Sequence, residues 1–233
     1  MTVDSEVTIQ RLVEDLQPVA RLASPFRRTC VWLVAATPYL VGLVLLFSLR
    51  PDLAAKFADA RYAIEQAAAL ATALLAAWAA FSMTIPGYDP LRVVMALVPL
   101  ALWMGVLVEG CVEDLIRFGW SGMMFEADWI CFPMIALVGA WPAVLMAIML
   151  RRGAPMAPYG TVAMGALASA GLGDVALRLF HAQDVSITVL FWQLGSAITL
   201  AWLAANAGPR ILKWPTDRIR KALFPDRQSD CGF

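Results

Sequence analysis

Charge is scarce in this chain. Of 233 residues, 15% are charged and 61% are hydrophobic, whereas a soluble globular protein carries roughly 25% charge. A deficit of that size points to the bilayer. Histidine occurs once and cysteine four times. The GxxxxGK[ST] phosphate loop, the GxGxxG dinucleotide turn, the GxSxG elbow and the HExxH zinc helix are all missing. Ionisable residues are almost missing from the middle of the apolar runs, where membrane catalysis and transport need them. No internal repeat of the kind transporters show is visible. An energised pump or an ordinary enzyme is therefore not expected. The start, MTVDSEVTIQRLVEDLQ, has acids and no apolar run, so no cleavable signal peptide is expected.

What the chain has instead is apolar runs. A spanning helix needs about 20 mostly apolar residues, and six stretches qualify: 29–49, 63–83, 91–108, 129–150, 159–180 and 187–207. The runs are continuous rather than alternating, which excludes barrel strands. Pro38, Pro99, Pro133 and Pro142 lie inside them and are tolerated with kinks. Gly165, Ser169 and Gly173 repeat every four residues in the fifth run, and the second is alanine-rich. Small residues let backbones approach, so these two helices are expected at the centre of the bundle. Asp174 and Arg178, four apart in the fifth run, share a helix face and read as a structural pair.

Basic residues set the expected orientation. Thirteen of the 18 Lys and Arg fall in the two tails, in the loop after the fourth run and, as Arg92, where the loop after the second run enters the third. That side belongs inside. The fold expected is all-α, an integral membrane bundle of six transmembrane helices with both termini cytoplasmic. It divides into a cytoplasmic segment 1–28, a membrane domain 29–207 and a basic tail 208–233. The basic tail interleaves Ile211, Trp214, Ile219, Leu223 and Phe224 with its charges, and so reads as an anchor on anionic lipid rather than a nucleic-acid contact. The longest loop expected runs from Glu109 to Asp128.

Two regions carry possible messages. In the N-terminal segment, Ile9, Leu12, Val13, Leu16 and Val19 follow helical spacing, and Arg11, Glu14 and Asp15 take the other face. Such a stripe lies on headgroups or docks in a partner's groove. On the outer face, Cys111 and Cys131 flank one loop, and His181 and Asp184 sit in another. Three readings stand there: a redox-active thiol pair, a transient site for zinc or another soft metal on Cys111, Cys131 and His181, or plain packing and solvated residues. Cys30 and Cys231 belong to the other side and cannot join them.

Several segments resemble one family. They are LVEDLQPVARLASPFRR at 12–28, LRPDLAAKFADARYAIEQAAALATALLAAWAAF at 49–81 and EGC at 109–111. DWICFP at 128–133, LRRGAPMAP at 150–158, LRLFHAQD at 177–184 and WQLGS at 192–196 follow. In order and topology they are similar to the NrsF-like membrane anti-sigma factors. The resemblance implies a bacterial inner-membrane protein, not an enzyme. Its N-terminal tail would hold an extracytoplasmic-function sigma factor and release it on an outer signal sensed by cysteines, of which Cys131 fits best. Family members often carry a cysteine after the loop histidine, where this chain has Ala182. By that resemblance, Cys131 pairs with Cys111 or with no residue of the chain. Two other classes compete: a small transporter or channel for a metal or anion, and a structural subunit of a membrane complex. The placing of ionisable residues at the rims and in the tail favours the regulator.

Overall fold

The computed structural model describes residues 22–119, 131–153 and 157–181, with Val13, Gly195, Thr199, Trp202 and Asn206 besides. For Cys131 and Phe132 it describes the backbone alone. Every regular element among the described residues is helical: α1 (Pro25–Phe47), α2 (Leu53–Ala58), α3 (Ala60–Ser82), α4 (Leu91–Phe118), α5 (Cys131–Leu150) and α6 (Pro158–Phe180). All but the short α2 contain a stretch long and apolar enough to cross a membrane. The sixth expected run, 187–207, lies largely outside the described residues. At its four described positions the chain is helical, and Thr199 and Asn206 each bond back to the carbonyl four residues earlier.

Local chemistry sets the helix ends. Ser24 caps α1, its hydroxyl accepting from the Arg27 N–H, and Pro25 takes the first turn, where its missing N–H costs nothing. Asp59 caps α3 by accepting from the Arg61 N–H. Asp89 accepts from the Leu91 N–H at the start of α4. Gly119 ends α4 with φ at 62°, a conformation that favours glycine. Here the expected boundary moves. α4 runs on to Phe118, so Glu109, Cys111, Glu113 and Asp114 lie on its last turns rather than in a long loop. Residues 25–28, the end of the expected first segment, form the first turn of α1.

α3 and α6 form the central pair. Each has more than half of its most apolar stretch buried, against about a fifth for the other three long helices. Alanine at 69, 73, 76, 77 and 80 is wholly buried along α3. Gly171 brings the α6 backbone against α3: a Cβ there would stand 3.0 Å from the Ala69 carbonyl oxygen. The Gly165–Gly173 stripe faces α5 instead, Gly165 under Met146 and Gly173 against Gly139. α4 packs on α3, α5 packs on α6, and α1 closes the group against α5, α3 and α6. The main cluster is built on Trp32, Phe81, Val138 and Met146.

The proline-bearing helices α1 and α5 are stitched by aromatic donors. Trp32 Nε1 donates to the Pro142 carbonyl at 2.9 Å, the Tyr39 hydroxyl to the Leu137 carbonyl at 2.7 Å, and Trp141 Nε1 to the Ala35 carbonyl at 3.3 Å. Neighbouring side chains thus serve backbone carbonyls near the helix breaks. The packing pairs the start of α1 with the ends of α3 and α5. That end is termed proximal, and the end where α3 and α5 begin is termed distal.

Candidate functional site

The distal end holds a buried polar cluster. Arg178 of α6 donates to Glu65 of α3 at 3.0 Å, with the two side chains 9% and 5% exposed. The Arg178 guanidinium also lies 5.4 Å from the Tyr62 ring centroid, and the Tyr62 hydroxyl donates to the Arg178 carbonyl. Asp174, one turn before Arg178, is buried as well. Arg178 thus has a partner on another helix, which the i,i+4 spacing on α6 did not reveal. Charge without a partner is expensive in low dielectric, so a lone glutamate in the apolar second run was the signal that a cation faces it.

Around this cluster the distal rim is ionic. Arg50 is almost wholly buried and makes two bonds to Asp52, of 2.7 and 2.8 Å. Its backbone N–H donates to the Leu179 carbonyl, which ties the α1–α2 turn to α6. The bonds from Arg50 hold the Asp52 carboxyl below the usual carboxylate range. Glu113 of α4 pairs with Arg61 of α3 and with Arg117 one turn on. Cys111, a free thiol and half-buried, stands two residues before Glu113. His181 follows α6 directly, its N–H donating to the Leu177 carbonyl at 2.8 Å. Cys131 opens α5. All three therefore belong to the distal end, on helices arranged with the α3–α6 pair between α4 and α5. No group of metal-binding residues occurs among the described residues. Glu126, Asp128 and Asp184 lie outside them, as does the Cys131 side chain.

Two buried polar groups stand apart from the ionic rim. The Gln66 amide on α3 and Trp103 Nε1 on α4 have no hydrogen-bond partner among the described residues.

The proximal end is built differently. Arg28, in the first turn of α1, is 6% exposed. It donates to the Thr84 hydroxyl at 2.8 Å and to the Met149 carbonyl at 2.6 Å, and it lies over the Phe81 ring. In the sequence Arg28 counts among the basic residues of the N-terminal tail. Its burial comes from packing between helices, which no local pattern encodes. Arg92 of α4 bonds the Ser82 hydroxyl and covers the Trp78 ring. Of the tail's stripe, Val13 is helical and exposed. Ile9, Leu12, Leu16 and Val19 lie outside the described residues.

A family model described as NrsF, negative regulator of sigma F, matches residues 12–214. No curated protein and no solved structure matches the chain.

Proposed function

The chain belongs to the NrsF family of negative regulators of sigma F, and from that premise we propose that it is a multi-pass anti-sigma factor of a bacterial inner membrane. The observation that carries the reading is the family match across nearly the whole chain, joined to five helices long and apolar enough to cross a bilayer. In this reading the proximal end faces the cytoplasm and both termini lie there, in agreement with the basic excess on that side. The sixth run completes the membrane domain. The protein is a regulator rather than an enzyme, and it contacts the lipid bilayer and a sigma factor but not nucleic acid.

The partner is a sigma factor of the extracytoplasmic-function type. It is held by the apolar stripe Ile9, Leu12, Val13, Leu16 and Val19, as a helix laid in a groove. A signal at the distal end releases it. Cys111 and Cys131, with His181 at the same end of the bundle, are the sensing residues, through thiol oxidation or a transient soft metal such as zinc.

The test is a double substitution in the full-length protein, Leu12→Asp with Leu16→Asp. Each places a charge where a groove expects an apolar anchor, a loss of roughly 2 kcal/mol or more. The expected result is constitutive sigma-dependent transcription with normal membrane insertion. Continued repression by the inserted double mutant would refute the docking helix.

A further inference from the structure

Arg28 joins three elements at the point where the chain leaves its N-terminal segment. One guanidinium nitrogen donates to the Thr84 hydroxyl, in the turn after α3. That hydroxyl in turn donates a hydrogen bond to the Phe81 carbonyl at 2.7 Å. The other nitrogen donates to the Met149 carbonyl at the end of α5. That carbonyl is one of the last four of its helix, which have no partner within it; the Gly153 N–H bonds Leu150 instead. The Phe81 ring closes the third side, its centroid 4.5 Å from Cζ. Gly153 presses on the same hydroxyl: a Cβ there would stand 2.5 Å from Thr84 Cβ and 2.9 Å from its Oγ1.

The held group is a buried cation whose hydrogen-bond partners among the described residues are a hydroxyl and a carbonyl, with no carboxylate among those described. The charge makes the contact strong, but it rests on groups that two different helices must bring together. α3 and α5 are the helices in question. At their other ends stand Glu65, in the buried ion pair, and Cys131. A shift of either helix at the distal end moves Thr84 or Met149 relative to Arg28. Packed helices transmit such shifts as discrete rearrangements rather than smooth deformation.

We propose that Arg28 is a latch that sets the N-terminal segment in register with the bundle. Closed on Thr84 and Met149, it fixes the first turn of α1, and so the place and direction from which the segment departs. When α3 and α5 shift, the latch opens and the segment is released from its sigma-holding position. The inference rests on the anti-sigma reading above and adds the residue through which the bundle acts on the tail.

The experiment uses full-length protein, co-expressed with the sigma factor and a sigma-dependent reporter, with membrane levels measured in parallel. Arg28→Gln removes the charge and stacking. Gly153→Ala forces the Thr84 side from behind without touching Arg28. Both are expected to raise uninduced transcription by roughly five-fold or more, the lower end of couplings between sites. Thr84→Val is expected to follow them and Thr84→Ser to restore repression, a rescue that mere volume at this position would not give. Gly173→Ala, whose Cβ meets nothing closer than 3.6 Å, is expected to repress like the parent chain. Full repression by both Arg28→Gln and Gly153→Ala at normal membrane levels would overturn the latch, as would equal derepression by Gly173→Ala. If Arg28→Gln fails to accumulate, the contrast between Thr84→Val and Thr84→Ser decides. The Leu12→Asp, Leu16→Asp variant separates the two ideas. If it derepresses and the latch variants do not, the latch alone fails; if it represses, the reading of the tail fails and the latch with it.

Discussion

Arg178 of α6 reaches across to Glu65 of α3 at 3.0 Å, in a part of the bundle where each side chain is less than a tenth exposed. Two charges are thus taken out of water together, on the two most buried helices. Removing one takes from the other its charged partner across the two helices, an error of about 3–5 kcal/mol. Glu65→Leu is expected to lower the unfolding free energy of the detergent-solubilised protein by about that much. The double variant Glu65→Leu, Arg178→Leu is expected to regain most of the loss, because two apolar side chains replace two matched charges. A loss below about 1 kcal/mol in the single variant, the range of exposed pairs, would show that water already reaches the pair.

The contact between α3 and α6 depends on one glycine more than on the repeated stripe. A Cβ on Gly171 would meet backbone oxygen at 3.0 Å, and backbone cannot turn aside. Gly171→Ala is expected to cost about 1–3 kcal/mol, as overpacking does. Gly173→Ala has room and gains helix propensity, up to about 1 kcal/mol. Melting temperatures of the two variants should therefore move in opposite directions. A shift of the same sign in both would mean that the helices separate easily.

Much of this architecture was legible in the sequence, for a physical reason. Continuous apolar runs have one stable solution in hydrocarbon, so five helices long and apolar enough to span a membrane, and the central place of the two small-residue helices, followed from composition. The end of α4 was not legible. EGCVEDLIRF reads as rim because of its acids, yet Arg61 and Arg117 pair with Glu113 and the helix continues. Arg28 was hidden for the converse reason. Beside Arg27 it looks like one more basic anchor, and only the approach of Thr84 and Met149 from distant parts of the chain buries it. The stripe at Ile9, Leu12, Leu16 and Val19 and the thiol of Cys131 lie outside the described residues, so the distal and proximal chemistry is legible as position more than as contact.

The Arg50–Asp52 pair gives the distal rim a pH dependence. Asp52 accepts two bonds from Arg50, and its folded-state pKa lies below that of the unfolded chain. The stabilisation is therefore complete above the unfolded carboxylate value, about 3.9, and is lost as pH falls through the lower folded value. Melting temperature is expected to show an Asp52 contribution that is constant from neutral pH down to about 4 and declines only below it. Asp52→Asn should remove that acid limb. A difference between the two proteins that is unchanged down to pH of about 2 would show that the pair contributes nothing through ionisation.

Cys111 is a free, half-buried thiol near the end of α4, which packs on α3; Cys131 opens α5, which packs on α6. An intrachain disulfide requires their α-carbons within roughly 7 Å, so it would draw the distal ends of α4 and α5 together across the central pair. In that step the two thiols lose two electrons and two protons, which an azo oxidant such as diamide accepts at its N=N bond. Cys111→Ser and Cys131→Ser are each expected to abolish derepression by diamide, while His181→Ala leaves it nearly unchanged. If the trigger is a soft metal, zinc replaces diamide as the effective agent, and His181→Ala weakens the response about as much as loss of a cysteine. Maleimide labelling of the intact membrane protein reads the chemistry directly. Diamide should protect both thiols, and a reductant should restore both. Zinc protection should instead be reversed by a chelator. Normal responses to both agents in both serine variants would reduce the two cysteines to packing residues and move the sensor elsewhere on the distal face.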